Sequence, residues 1–169
     1  MTVTYRGAGP DDAETLDSIF DTSFCDTFAH LYRPEDLQAF LSGFGVEDWR
    51  AQLASADYAF RMAEAGGSGV GYVKLGPMKL PIEPQGRALL LDQLYVLKEH
   101  HGSGIARALM DWALEEARRR GADELYLTVY VDNHRARRFY DRYGFEAVGR
   151  YDFMVGSHAD EDIIMRKRL

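Results

Sequence analysis

The feature that most constrains the fold is the stretch Leu89 to Leu109, where an aliphatic run, a polar break, a glycine turn and an amphipathic segment follow without interruption. Leu89 to Leu97 is interrupted only by Asp92 and Gln93, and it stops at Lys98-Glu99-His100-His101, which reads as a largely buried strand. From Ile105 the apolar residues fall at Ile105, Leu109, Trp112, Ala113 and Ala117, the spacing of one helix face. Gly102-Ser103-Gly104 therefore opens that helix, where unpaired backbone N–H groups and the positive end of the helix dipole suit a phosphate. A tight turn between packed elements would use the same glycines, so the segment alone leaves both readings open. Two other phosphate motifs are excluded by inspection. A P-loop needs Lys followed by Ser or Thr after the last glycine, where Ile105-Ala106 stands, and a dinucleotide fingerprint needs glycine where Arg107 stands.

Leu94-Tyr95-Val96 followed by His101-Gly102-Ser103-Gly104-Ile105-Ala106 resembles the acyl-CoA motif of the GNAT superfamily of N-acyltransferases. That motif reads Gln or Arg, two residues, Gly, one residue, then Gly or Ala. His101 departs from it, and Gly104 and Ala106 match. Downstream, Asn133, Phe139-Tyr140 and Gly144-Phe145 resemble the second GNAT motif. Taken singly, an asparagine cap and a core aromatic pair would account for them. Their order after the first motif favours the family. Phe24-Cys25-Asp26-Thr27-Phe28, Pro34-Glu35, His101-Gly102 and Asp162 to Met165 look similar to the PaiA-type polyamine acetyltransferases within it.

The resemblance implies a mixed α/β fold of GNAT type, with a central, partly parallel sheet flanked by helices. It implies acetyl-CoA as cosubstrate, a primary amine such as spermidine or spermine as acceptor, and a monomer or homodimer. Protein N-termini, lysines and aminoglycosides are alternative acceptors, and a non-catalytic acyl-CoA-binding regulator is the alternative outside enzymes. By the same resemblance Tyr140 donates a proton to the CoA sulfur, and Val96, with Leu94 and Tyr95, supplies backbone hydrogen bonds to the acyl arm. His101 to Arg107 hold the diphosphate, Asn133 contacts the pantetheine and Arg142 reaches a phosphate. Asp92, four residues before Val96, is the expected general base, with pairing to a basic neighbour as its other reading. A base is required because an amine of pKa near roughly 10 is protonated at neutral pH.

Composition sets the remaining bounds. A chain of 169 residues is about one domain, and 46% hydrophobic with 28% charged residues is ordinary for a soluble one. A net charge of −7 argues against nucleic acid and favours a cationic partner. There is neither an apolar run of membrane-spanning length nor a leader-like N-terminus, so no membrane partner is expected. The lone Cys25 suits a reducing cytoplasm and reads as a packed thiol. The adjacent His100 and His101 lack a ligand pattern, no metal is expected, and His30, His134 and His158 are placed on the surface. Gly121 terminates the helix after Ile105, and Arg118-Arg119-Arg120 before it reads as a solvated helix end.

Elsewhere the patterning predicts a strand over Thr2 to Arg6 and a long helix through Leu16 to Leu31. Short helices follow Pro34 and Val46, and a hairpin runs over Tyr58 to Leu75 around a loop at 65–69. Gly76 to Gly86 is a connection, Glu124 to Val131 a strand, and two final strands, Phe145 to Val155 and Asp162 to Leu169, turn at Gly156 to His158. Phe24 to Phe44 and the 76–86 connection are the expected acceptor groove.

Overall fold

The computed structural model describes residues 2–169. The chain forms β1 (Val3–Gly7), α1 (Ala13–Phe28), α2 (Pro34–Ser42), α3 (Val46–Ala54), β2 (Ala59–Ala65), β3 (Ser68–Pro77), β4 (Ala88–Val96), α4 (Ile105–Arg119), β5 (Glu124–Tyr130), α5 (His134–Arg142), β6 (Glu146–Val155) and β7 (His158–Arg168). The strands make one seven-stranded sheet in the order β1-β2-β3-β4-β5-β7-β6. Among the described residues only β4 and β5 run parallel, joined by α4 as the crossover that a parallel pair requires. The expected mixed, partly parallel sheet is therefore present.

Strand alternation divides the sheet's two faces. On one, Leu91, Leu125, Leu127 and Met165 pack against Ile105, Leu109, Met110 and Ala113 of α4, with Tyr140 and Phe145 in the same core. Leu109 is fully buried, and truncating such a leucine to alanine costs about 2–5 kcal/mol. On the other face Leu16, Ile19, Phe20 and Phe24 of α1 meet Trp49, Met62 and Tyr72. Helix α4 ends where predicted, at Gly121: the amide of Ala122 donates to Ala117 O and that of Gly121 to Arg118 O, a paired closure that needs the positive φ of +80°.

Several boundaries differ from expectation. The β2–β3 turn is only Gly66-Gly67, both at positive φ, and β3 continues to Pro77, so the connection begins at Met78. The last strand starts at His158 rather than Asp162, because its first residues pair with β6 across the tight Gly156-Ser157 turn. Arg120 is not simply solvated. Its guanidinium donates to the carbonyls of Ala56 and Tyr58 and ties the end of α4 to the chain before β2.

Strands β4 and β5 form the feature that positions the site. They pair only from Ala88 opposite Glu124 to Leu90 opposite Tyr126. Beyond that they splay, and Leu91 to Val96 on one side and Thr128 to Tyr130 on the other wall an opening that runs from the α4 face to the α1 face. Among the described residues no helix is long and apolar enough to cross a membrane.

Candidate active site

The splay holds a cavity of about 440 Å³. Of the residues singled out in the sequence, Asp92, Leu94, Tyr95, Val96, His101, Gly102, Gly104, Ile105, Ala106, Arg107, Asn133, Tyr140 and Arg142 all line it. Ser103 does not, and its hydroxyl donates to the carbonyl of His100 instead.

The turn before α4 is built for close approach. Gly102 and Gly104 take φ of +78° and +89°, a region costly to any residue with a Cβ. A Cβ at either position would stand in open space, so the requirement comes from backbone conformation rather than from crowding. None of the amides from Gly102 to Arg107 donates to another backbone group, and the first such donor is Ala108, to Gly104 O. A row of free N–H groups over two bare glycines at a helix N-terminus fits a diphosphate. His101, the residue that departs from the motif, clamps this turn. Its Nε2–H donates to Val96 O at 2.8 Å, while Nδ1 accepts from Arg135 of α5 at 2.6 Å, partners that together assign the tautomer. The carbonyl of Val96 is thus already engaged.

On α5, Asn133 caps the helix by accepting from the amide of Ala136 at 3.3 Å, and it also faces the cavity. Tyr140 is buried between Phe139 and Phe145, and burial pushes its phenol up to about 12. It remains a proton donor across the physiological range.

The α1 side of the cavity has a different chemistry. Phe24 and Tyr32 stack at 5.9 Å, Phe28 meets Tyr130 edge-on at 6.0 Å, and Phe153 joins this aromatic wall. Three carboxylates reach it. Asp92 of β4 lies 3.1 Å from Lys74 Nζ and 3.6 Å from Lys79 Nζ. Asp160 of β7 accepts from the Tyr32 hydroxyl and sits 3.2 Å from His158 Nε2. Asp162, two residues on, is buried, and burial together with Asp160 raises its carboxyl to about 7 against a smaller pull from the Thr128 hydroxyl.

Asp160 and Ser23 escaped the sequence reading, and Asp162 entered it only within the 162–165 resemblance, with no role at the site. The acids sit two apart on a strand, a spacing common on any solvated strand, and only the sheet order turns them inward. His158, exposed as expected, has a partner in Asp160 that sequence does not reveal. Cys25 is half-buried, and burial with Asp21 and Asp26 nearby pushes its thiol up, away from nucleophilic character. Among the described residues no three His, Cys, Asp or Glu side chains group as a metal site.

Known proteins resemble this chain in sequence and in fold. Residues 18–145 match the acetyltransferase (GNAT) family. An uncharacterized N-acetyltransferase of Mycobacterium tuberculosis is 31% identical over 159 residues, covering 94% of this chain and 98% of its own. The aminoalkylphosphonate N-acetyltransferase of Salmonella typhimurium is 32% identical over 111 residues, 66% of this chain and 68% of its own. In fold, the PaiA N-acetyltransferase of Thermoplasma acidophilum, solved in complex with coenzyme A, aligns over 100% of both chains with a TM-score of 0.81 at 22% identity. The chain belongs to the GNAT family of acetyltransferases and is an acetyl-CoA-dependent N-acetyltransferase.

Proposed function

We propose that the acceptor is a small, positively charged primary amine, a polyamine such as spermidine or spermine being the best match. The observation that carries this is the segregation of charge along the cavity. Every basic side chain lining it, His100, His101, Arg107, Arg135 and Arg142, comes from the turn before α4 or from α4 and α5, and every acidic one comes from β4 or β7. A diphosphate belongs at the first end and a cation at the second, where aromatic faces add attraction for an ammonium group. The fold likeness to a PaiA N-acetyltransferase is consistent with this reading. An aminoalkylphosphonate, the acceptor named for the Salmonella relative, would carry its anionic group toward Asp160 and Asp162, so that acceptor is disfavoured here.

In this reading the free amides from Gly102 to Arg107 hold the diphosphate, Arg107 and Arg142 add charge beside it, and Asn133 borders the pantetheine arm. Acetyl-CoA supplies an activated thioester carbonyl. Tyr140, whose phenol stays protonated, returns a proton to the departing sulfur. The test is thiol release from acetyl-CoA with a panel of acceptors: spermidine, spermine, an aminoalkylphosphonate, an aminoglycoside and peptides with free N-termini. Release that depends on spermidine or spermine is the expected result. Release only with peptides, the aminoglycoside or the phosphonate, or coenzyme A binding without any release, overturns it.

A further inference from the structure

We propose that the carboxylate of Asp162, on the α1 side of the opening between β4 and β5, receives the proton of the acceptor amine, an inference that rests on the cationic-amine reading above. Asp162 stands opposite Tyr130 in register and two residues from Ile164, so it shares the face that looks away from α4 and toward the aromatic wall. It is only 6% exposed yet lines the cavity.

Of the three carboxylates there, two are engaged: Asp92 by Lys74 and Lys79, Asp160 by His158 and Tyr32. Among the described residues Asp162 has no ion-pair partner. The groups around it are Asp160 on its own strand, Thr128 and Tyr130 on β5, Tyr95 on β4 and Tyr32 after α1, with His158 one step away on Asp160. Among the described residues no lysine or arginine is paired with Asp160 or Asp162.

A second observation points to a ligand at this end. Ser23 of α1 lines the same cavity, is 5% exposed, and its hydroxyl has no hydrogen-bond partner among the described residues. A buried hydroxyl left unpaired is destabilising, and an N–H of a bound amine would satisfy it. With its carboxyl raised to about 7, Asp162 has the affinity for a proton that an acceptor working near neutral pH needs.

The step balances. Asp162 takes one proton from the ammonium and frees the nitrogen lone pair, which forms the C–N bond to the thioester carbonyl carbon. The C–S bond breaks with its electron pair on sulfur. Tyr140 protonates that sulfur and is reprotonated by the second N–H proton, and Asp162 releases its proton to solvent, one per acetyl group transferred.

The experiment measures kcat/KM for spermidine against pH in the wild type, Asp162→Asn and Asp162→Glu, alongside acetyl-CoA affinity by calorimetry. Wild-type kcat/KM falls below a single-proton limb near pH 7. Asp162→Asn loses that limb and about 100-fold or more in rate at pH 8, with acetyl-CoA affinity held within about twofold. An Asp162→Asn variant that keeps the limb and most of the rate overturns this inference and leaves the proposed function standing. Wild-type protein that releases thiol with no cationic amine overturns the proposed function and this inference together. Where Asp162→Asn fails to bind acetyl-CoA, Asp162→Glu decides: a displaced limb supports the assignment, and an unmoved one overturns it.

Discussion

Lys74 Nζ sits 3.1 Å from Asp92 and 2.9 Å from Gln52 Oε1, with its charge over the rings of Trp49, Phe44 and Tyr58. Burial pulls the Lys74 pKa down and Asp92 pulls it back up, so the carboxylate is what keeps a buried ammonium charged. Asp92→Asn is therefore expected to cost about 2 kcal/mol and lower Tm by about 4–8 °C. Its kcat/KM profile should keep the acid limb, read by thermal unfolding and pH-dependent thiol release on one preparation. A stable Asp92→Asn that loses the limb would return the base to Asp92.

Tyr140 presents a phenol whose removal should leave packing intact, since Phe fills the same space between Phe139 and Phe145. Tyr140→Phe should lower kcat roughly 100-fold while acetyl-CoA Kd changes less than about twofold. Because burial pushes the phenol up to about 12, the donor is protonated at every pH from 6 to 10, and no basic limb below about pH 11 belongs to it. A kcat unchanged in Tyr140→Phe removes the residue from the mechanism.

Two glycines of like backbone give a controlled pair. Gly104 at the start of α4 and Gly121 at its end have φ of +89° and +80°, so alanine at either strains the chain by about 1–2 kcal/mol. Of the two, only Gly104 lines the cavity and belongs to the run of free amides. Gly104→Ala should weaken acetyl-CoA tenfold or more, about 1.4 kcal/mol, whereas Gly121→Ala should lower Tm without moving Kd. Equal effects on Kd would mean that the turn does not hold the diphosphate.

The turn could be read in the sequence because its signal is local. Aliphatic Leu89 to Leu97, Gly102, Gly104 and the periodicity from Ile105 each report on their own neighbours, and their spacing survives folding unchanged. The Asn133 and Tyr140 pair was legible for the same reason. The proposed acceptor end was legible only in part: Phe24, Phe28 and Tyr32 of the expected groove line the cavity, and residues 76–86 do not. Its residues come from α1, β4, β5 and β7, and they meet only because β7 inserts between β5 and β6 and because β4 and β5 part after three paired residues. The partnering of Asp92 with Lys74 crosses from β4 to β3 past a register shift at Lys74, which no pattern along the chain encodes.

Asp162 should also reveal itself in stability, independently of turnover. Its carboxyl titrates near 7 in the fold against an ordinary 3.8, raised first by burial and then by Asp160. Between those values the folded state binds the extra proton, so the stability this one group contributes is fully present below about pH 4 and is lost as pH rises through 7. Asparagine carries no such linkage. Asp162→Asn should therefore gain on the wild type as pH rises, by upwards of about 1 kcal/mol between pH 5 and pH 8, or at least about 2–4 °C in relative Tm. Spermidine should narrow the gap at pH 8, because an ammonium against Asp162 stabilises the ionised form that burial penalises. A Tm difference that stays flat with pH, and is untouched by spermidine, would mean that the carboxyl is already satisfied within the protein and has no proton to take from an amine.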